Sequence, residues 1–396
     1  MFAEIKLLPA DPLLGLTKLF NEDKREKKID LGVGVFRTPD NRTPILHAVK
    51  RAEAKLIGAQ TTKVYTPPEG APGFGEVITR VVFGERHPAA AEGRLFALQT
   101  TGGCGALRIG AELLKRAKAR RIVIGSPTWA NHQPLLSAAG HTIEMVPYYD
   151  ADQCALEFEK FLAAVEKLGP PDVLLLHGGC HNPTGADLSR AEIDRVLDAA
   201  ERQGFLVFID FAYHGFAVDL DADAFLVREA ARRLPELLVS YSCSKNFGLY
   251  RERAGALFLI GANPERMAAL RSQSLALARG LYSMAPAHGG AIVAEILQSP
   301  ELSAQWRKEV AEMGAAIRNN RKLLVRTAEA MQIAGLNHID KQNGMFSILP
   351  LSETQVLSMR ERHGVYMASS GRINLCGVNE GNVEHLCAGM RDVMRG

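Results

Sequence analysis

A lysine that follows an apolar run is the first residue whose surroundings could support chemistry. Lys245 comes shortly after Leu237–Val239, through a stretch of small and hydroxyl-bearing residues. In a confined and partly desolvated pocket a lysine has a lowered pKa, so its neutral amine can form a Schiff base with a carbonyl compound. Most lysines lie on the surface, and Lys245 alone could be one of them. However, Ser242, Ser244 and Arg253 lie close to it in the sequence and together could hold a phosphate.

A carboxylate stands at the end of a second apolar run. Asp210 follows Phe205–Ile209 and is itself followed by a short aromatic stretch that ends in Tyr213. One interpretation is a helix cap or a buried hydrogen-bond acceptor. The other is a carboxylate kept ionised so that it pairs with the protonated nitrogen of a pyridine ring. The local sequence leaves both interpretations open.

A glycine-rich turn follows a third apolar run. The run Leu95–Leu98 leads into TTGGCG, which contains Gly102, Gly103 and Cys104, and we expect a helix to begin at Ala106. Glycine lets the backbone approach a ligand closely, and a helix N-terminus adds free amide donors and a partial positive charge. The pattern outlines a phosphate site, although most such connections are only turns.

A fourth apolar run, Val173–Leu176, is followed by the loop HGGCHNPTG. Its histidines and cysteine suggest a metal site, but their spacing matches no usual zinc pattern, so we expect no metal. Asn182 precedes Pro183, which favours an extended backbone, and its side-chain amide could meet a ring hydroxyl. The alternative is a plain turn.

These polar residues share one property, since each lies near the end of a predicted buried strand. The predicted strands are Leu95–Leu98, Arg121–Ile124, Val173–Leu176, Phe205–Ile209 and Leu237–Val239. Helical patterns separate them, which is typical of a mainly parallel sheet. One of these helices has a capping box at Ser189 and Glu192 and a stop signal at Gly204. Because ligands bind beyond the carboxyl ends of parallel strands, we expect the polar residues to meet at that edge.

The pattern changes after about residue 300. A long helix over Pro300–Ala334 precedes a run of shorter elements. These are a predicted strand Gly344–Leu349, a helix Glu353–His363, strands Val365–Ala368 and Arg372–Cys376, and a terminal helix. This order predicts a second, smaller α+β domain, which the N-terminal segment up to about Arg42 is expected to join.

Composition excludes several classes of function. The chain has 396 residues, of which 47% are apolar, and it is long enough for two domains. Its 47 basic and 44 acidic residues are interspersed, so neither nucleic acid nor a membrane is an expected partner. The six cysteines include no CxxC pair, and the N-terminus lacks a signal-peptide pattern, so we expect a reducing, cytoplasmic location.

Together these motifs resemble the class I aminotransferases of fold type I, most closely the bacterial aspartate and aromatic-amino-acid enzymes. The motifs SCSKNFG, RERAG, HNPTG and DFAYHGF stand in family order, and the likeness extends from ADPLLGL near the start to SGRINLCG near the end. The resemblance implies an α/β protein with a mainly parallel seven-stranded sheet and a smaller α+β domain. The implied division is an N-terminal arm over 1–10, a large domain over 43–312 that binds pyridoxal 5′-phosphate (PLP), and a small domain over 11–42 and 313–396.

The resemblance also implies a role for each residue of the cofactor site. Lys245 matches the lysine that bonds to PLP and shuttles the substrate proton, and Asp210 matches the carboxylate on the pyridine nitrogen. Asn182 and Tyr213 match donors to the phenolic oxygen of the ring, and Trp129 matches the aromatic side chain stacked on it. The phosphate cradle is matched by Gly102, Gly103, Cys104, Ser242, Ser244 and Arg253, with Tyr65 reaching in from the other subunit of a homodimer.

Two arginines are implied to bind the substrate. Arg372 matches the arginine that grips the α-carboxylate, for which the planar guanidinium is suited because it binds a carboxylate through two hydrogen bonds. Arg279 matches a second arginine, contributed across the dimer, which binds the distal carboxylate of aspartate or glutamate. Gly34, Trp129 and Asn182 would complete the substrate site. The implied reaction is a ping-pong transfer of amino groups between amino acids and 2-oxo acids.

Several positions depart from the family pattern. Cys104 stands where a hydroxyl residue is common, and the loop after Tyr65 reads TPPEG, which makes it stiffer. Val64 and Met284 are apolar where strict aspartate enzymes tend to carry polar residues near the substrate. These two residues predict an enzyme that accepts tyrosine and phenylalanine besides aspartate, with 2-oxoglutarate as acceptor.

Three alternatives remain open at this stage. The first is a strict aspartate aminotransferase, and the second is a lyase or decarboxylase that uses the same cofactor. The third is a non-catalytic effector-binding module of a transcription regulator. We do not expect the third, because the resemblance begins close to the first residue and leaves no room for a DNA-binding domain ahead of it.

Overall fold

The computed structural model describes residues 2–7 and 12–395, so residues 1 and 8–10 of the expected N-terminal arm lie outside it. The strands are β1 Ile29–Asp30, β2 Leu95–Thr101, β3 Ile122–Ser126, β4 Ile143–Pro147, β5 Tyr149–Asp150, β6 Ala155–Leu156, β7 Val173–His177, β8 Leu206–Phe211, β9 Leu237–Ser242, β10 Ala254–Ile260, β11 Phe346–Ile348, β12 Val365–Tyr366 and β13 Arg372–Asn374.

The α-helices surround these strands. They are α1 Pro12–Glu22, α2 His47–Ala59, α3 Phe74–Phe83, α4 Pro88–Ala91, α5 Gly102–Arg116, α6 His132–Ser137, α7 Phe158–Val165, α8 Arg190–Gln203, α9 Phe225–Arg233, α10 Pro264–Tyr282, α11 Ala287–Gln298, α12 Pro300–Ala330, α13 His338–Lys341, α14 Glu353–His363 and α15 Val383–Arg395. Short 3₁₀ helices cover Phe2–Glu4 and Leu375–Gly377. Across the described ranges, no helix combines the length and the apolar character that crossing a membrane would require.

The central sheet has seven strands in the order β2-β10-β9-β8-β7-β3-β4. Strand β10 runs antiparallel to both of its neighbours, and the other pairs are parallel. Each of the five apolar runs proved to be a strand of this sheet, which confirms the predicted α/β class. The parallel strands β7, β8 and β9 therefore bring their carboxyl ends to one edge, where their last residues and the loops behind them can form a site.

Helix α8 shows how local sequence places one of these strands. The Ser189 hydroxyl accepts the backbone N–H of Glu192 at 3.3 Å, and the Glu192 carboxylate accepts the N–H of Ser189 at 2.7 Å. The helix ends at Gly204, whose φ of 75° lies in the left-handed region that glycine adopts without strain. The predicted capping box and stop are confirmed, and the chain turns at once into β8.

A second hydrophobic core lies apart from the sheet. Its buried residues come from the N-terminal segment, the second half of α12, α14, α15 and the short strands around them. Strand β1 pairs with β12, and β11 pairs with β13, so the N-terminal segment contacts the C-terminal elements. Helix α12 ends at Ala330, and the predicted strand Gly344–Leu349 is shorter at both ends. The domain bounds at 42 and 312 stay a proposal.

Candidate active site

A cavity of about 300 Å³ opens at the carboxyl ends of β7, β8 and β9. The structure brings most of the sequence-predicted site residues together in its wall: Gly34, Gly103, Cys104, Trp129, Asn182, Asp210, Tyr213, Ser242, Ser244, Lys245, Arg253 and Arg372. Lys245 follows β9 of the central sheet, whereas Arg372 lies on β13 among the C-terminal elements. The cavity therefore lies where the sheet edge meets the C-terminal elements.

Lys245 lies in the loop that follows β9, with its Nζ atom 5.0 Å from the centre of the Tyr213 ring. Burial lowers the pKa of its ammonium group, and the Asp210 carboxylate opposes that change without cancelling it. A lysine with a lowered pKa releases its proton more readily, which gives a nucleophilic amine.

Asp210 is the penultimate residue of β8 rather than the first residue after it. Its Oδ2 atom lies 3.0 Å from Nε2 of His132, and the other nitrogen of that ring lies 2.8 Å from Oγ1 of Thr128. Burial raises the pKa of Asp210. The hydrogen bond to His132 and the neighbouring positive charges lower it by more than burial raises it, so the pKa lies below its usual value. The carboxylate thus stays ionised inside the cavity, as pairing with a protonated pyridine nitrogen requires.

Asn182 and Tyr213 form a hydrogen-bonding pair on the opposite wall. The Asn182 Nδ2 atom donates to Oη of Tyr213 at 3.3 Å, and burial raises the pKa of the Tyr213 phenol. Asn182 Oδ1 accepts a long hydrogen bond from Nη1 of Arg372 at 3.5 Å. Both side chains can donate to an oxygen placed between them.

The glycine-rich segment is part of helix α5, which begins at Gly102 and not at Ala106 as predicted. Gly102 has a φ of +69°, and a Cβ atom there would lie 2.4 Å from Nη2 of Arg253, so only glycine lets the arginine approach this closely. The residue before the helix, Thr101, forms no side-chain cap, and the amides of the first turn remain available to a ligand.

Hydroxyls and a guanidinium complete this cradle. Arg253 Nη1 donates to the Ser244 hydroxyl at 3.2 Å and to the carbonyl of Tyr250 at 2.8 Å. The Ser242 hydroxyl accepts the N–H of Ser244 at 3.2 Å. Burial raises the pKa of the Cys104 thiol, so the group stays neutral beside an anion. Helix amides, hydroxyls and a guanidinium are the donors that a phosphate dianion requires, and this set fits a phosphate ester.

Arg372 is held at the other end of the cavity. Its Nη2 atom donates to the carbonyl of Gly32 at 2.6 Å, and its guanidinium stacks on the Phe346 ring with 4.6 Å to the ring centre. Among the described residues its buried Nε atom has no hydrogen-bond partner. A buried donor without a partner is costly, and a substrate carboxylate would supply the missing acceptor.

Three predicted residues do not line the cavity of this single chain. Gly102 lies just behind it against Arg253. Tyr65 is 88% exposed, and Arg279 is exposed near the end of α10 without an ion pair anywhere in residues 2–7 and 12–395. The Thr66 hydroxyl lies 3.6 Å from the sulfur of Met284, so the loop after Tyr65 and the segment after α10 are neighbours.

The cavity also contains residues that the sequence analysis did not assign. They are Leu107, His177, Ala212, Tyr250 and Phe346. Phe346 supports Arg372 although it lies far from it in sequence, so no local pattern could have indicated the contact. His177 was considered only as a metal ligand, yet burial lowers the pKa of its ring to about 3, and the ring packs against His132 at a tilt of 59° with 5.1 Å between centres. No cluster suited to a metal ion occurs within the part of the chain that the structure describes.

Comparisons with known proteins agree with this geometry. The family model described as aminotransferase class I and II matches residues 26–390. An aromatic-amino-acid aminotransferase of Pseudomonas aeruginosa is 43% identical over 99% of this chain and 98% of its own length, and an aspartate aminotransferase of Escherichia coli is 41% identical over 98% of each. A crystal structure of the aromatic-amino-acid aminotransferase from Burkholderia pseudomallei, covalently bound to pyridoxal phosphate, superposes with a TM-score of 0.97 at 38% identity over 99% of both chains.

Proposed function

Because the chain belongs to the class I and II aminotransferases, whose cofactor is PLP, we propose that it moves amino groups between dicarboxylic or aromatic L-amino acids and 2-oxoglutarate. The observation that carries this proposal is the cavity itself. It combines an amine of lowered pKa, an ionised carboxylate, a phosphate cradle and an arginine with an unpaired donor. Transamination requires all four at once.

The residues of the cavity would hold the cofactor at three points. The first turn of α5, with Ser242, Ser244 and Arg253, would bind the phosphate. Asp210 would bind the pyridine nitrogen and keep it protonated, and Asn182 and Tyr213 would donate to the phenolic oxygen. Bound in this way, PLP supplies an aldehyde carbon for the amino group and a ring that withdraws electrons from the substrate α-carbon.

Lys245 would then move the proton. Its Nζ atom would take the proton from the α-carbon of the amino acid and pass it to the former aldehyde carbon of the cofactor, and in the second half of the reaction it would carry a proton in the opposite direction. Arg372 fixes the α-carboxylate, which orients the α-carbon toward that amine. Since a single Arg372 serves the amino acid and the oxo acid in turn, we propose ping-pong kinetics.

The substrate range rests on the other end of the site. An arginine at position 279 would bind a distal carboxylate, whereas the apolar side chains of Val64 and Met284 would accept an aromatic ring. Similar proteins are named aromatic-amino-acid, tyrosine and aspartate aminotransferases, which supports a broad range. The proposal includes a homodimer, in which the exposed Tyr65 and Arg279 complete the partner's site, and a cytoplasmic location.

An absorbance spectrum of the purified protein tests the proposal. We expect a visible cofactor band that bleaches on addition of L-aspartate and, separately, of L-phenylalanine, without any oxo acid. Bleaching with aspartate alone would leave a strict aspartate aminotransferase. A band that neither amino acid changes would contradict transamination. Elution at the mass of one chain in gel filtration would contradict the dimer.

A further inference from the structure

Asp187 organises the loop that carries Asn182 without lining the site cavity. Its Oδ2 atom accepts the N–H of Cys180 at 2.9 Å, and its Oδ1 atom accepts the N–H of His181 at 2.9 Å. These are the two residues immediately before Asn182. One carboxylate therefore fixes the backbone from which the Asn182 side chain projects.

The same carboxylate reaches the C-terminal elements. Its Oδ2 atom also accepts Nδ2 of Asn343 at 3.1 Å, and the backbone N–H of Asn343 donates to the carbonyl of Gly185 at 2.8 Å. The contact at Gly185 is tight, because a Cβ atom there would lie 2.5 Å from the carbonyl of Phe346. The loop is thus held by hydrogen bonds to the Asp187 carboxylate at Cys180 and His181, and by a backbone hydrogen bond from Asn343, which precedes β11, at Gly185.

The partners of the Asp187 carboxylate are N–H donors of neutral groups. Within the described residues it forms no salt bridge, and burial raises its pKa although the amides of His181 and Cys180 lower it in part. A partly buried acid without an ion pair is costly, and the three donors offset that cost, helped by the more distant charge of Arg321.

We propose that Asp187 is a positioning residue that sets the Asn182 amide against the phenolic oxygen of the cofactor and ties that loop to β11. The inference rests on the proposed function, since it assumes that PLP occupies the cavity. Asn182 contacts both Tyr213 and Arg372, at 3.3 Å and 3.5 Å. A small shift of the loop would therefore alter a cofactor contact and a substrate contact together.

The sign of the effect follows from competition for the phenolic oxygen. With PLP bound, Lys245 would be joined to it through a nitrogen that carries a titratable proton, and the phenolic oxygen would be an acceptor for that proton. Donation from Asn182 satisfies the oxygen by itself and makes loss of the nitrogen proton easier. If Asn182 moves away, the proton is held more firmly, and the pH midpoint of the visible absorbance change rises.

The test is Asp187→Asn in the holoenzyme. Asparagine keeps the shape, but whichever way its amide turns, an NH₂ group faces a backbone N–H donor. We expect the pH midpoint of the visible cofactor band to rise by about half a unit to one unit, as for a weakened charged hydrogen bond. Asn343→Ala removes only the link to β11 and should give a smaller shift of the same sign.

Asp150→Asn is the control. Asp150 also accepts two backbone amides of its own loop, those of Asp152 and Gln153. None of these three residues lines the site cavity. The control should leave the midpoint unchanged. An unchanged midpoint in Asp187→Asn, or an equal shift in both variants, would overturn the inference, whereas a wild-type protein without any visible band would contradict the proposed function itself.

Discussion

The two ends of the site differ in how much of their structure one chain provides. At the cofactor end, Asp210, Asn182 and Lys245 line the cavity and contact neighbours of the same chain. At the end proposed for the substrate side chain, Val64 is 75% exposed and Arg279 is exposed as well. A single chain therefore forms the cofactor end of the site, whereas the residues proposed to recognise the substrate side chain are exposed in that chain.

This difference has a consequence for the effects of mutation. A change at the cofactor end should affect every amino acid alike, because each must react at the same α-carbon. A change at the side-chain end should separate the substrates, because each presents a different group there. Substrate profiles can therefore tell the two regions apart.

The largest effect is expected for Lys245→Ala. Without the amine no group of the cavity can carry the substrate proton, so steady-state activity on aspartate and phenylalanine should fall by at least about 10⁴-fold. The exposed Lys167→Ala serves as the control and should keep full activity. A loss below tenfold, or a loss for one substrate alone, would remove Lys245 from its proposed role.

A somewhat smaller loss is expected for Asp210→Asn. The neutral amide cannot hold a proton on the pyridine nitrogen, so the ring withdraws electrons less strongly. We expect the single-turnover rate constant for the reaction with the amino acid to fall by about 10²- to 10³-fold with both substrates. Asp210→Glu retains the charge and should recover part of the rate. A variant with the wild-type rate constant would show that ring protonation does not depend on this residue.

The cofactor end was also the part that the sequence predicted best. Strand ends, the glycine turn and the hydroxyl-bearing loop before Lys245 are local patterns, and they meet because parallel strands share an edge. The errors lie where tertiary contacts decide. Helix α5 begins at Gly102, four residues earlier than predicted, and the distant Arg253 packs against that glycine. Strand β4 was missed because it is a partly exposed edge strand without a continuous apolar run. Strand β10 was missed as well, although Ala254–Ile260 is a continuous buried apolar run.

The side-chain end was predictable only through resemblance. No local pattern distinguishes Arg279 from other exposed arginines on a helix, and one chain gives it no partner within the described ranges. Phe346, which supports Arg372 from 26 positions away in the sequence, joins the site through the pairing of β11 with β13. Such contacts depend on the fold as a whole.

Arg279→Ala should separate the substrates most clearly. Loss of a guanidinium that pairs with a distal carboxylate should lower kcat/KM for aspartate by about 10²-fold or more, and that for phenylalanine by less than about threefold. Arg266→Ala lies on the same helix and is the control, since Arg266 is exposed near the start of α10 and does not line the cavity. Equal losses for both amino acids would sink the proposed role.

Mixed dimers test whether the arginine acts across subunits. When Lys245→Ala and Arg279→Ala chains are combined, each hybrid contains one site with both residues intact if Arg279 serves the partner's site. Aspartate activity should then reappear on mixing, although neither variant has it alone. If Arg279 served its own chain, no hybrid site would be complete and mixing would restore nothing.

The smallest effect concerns the one weak point of the cofactor end, Cys104. A thiol is a poor donor, and here burial keeps it neutral, so one position of the phosphate cradle contributes little beyond its backbone amide. Cys104→Ser places a hydroxyl at the start of α5, where the helix amides already favour an anion. An added hydrogen bond of about 1 kcal/mol should slow cofactor release about fivefold. Release is followed as loss of the absorbance of protein-bound cofactor after dilution into buffer without PLP.

Cys104→Ala tests the remaining contribution of the thiol and should match the wild type within about twofold. If serine releases the cofactor as fast as alanine, the side chain at this position does not reach the phosphate, and the cradle is already complete without it.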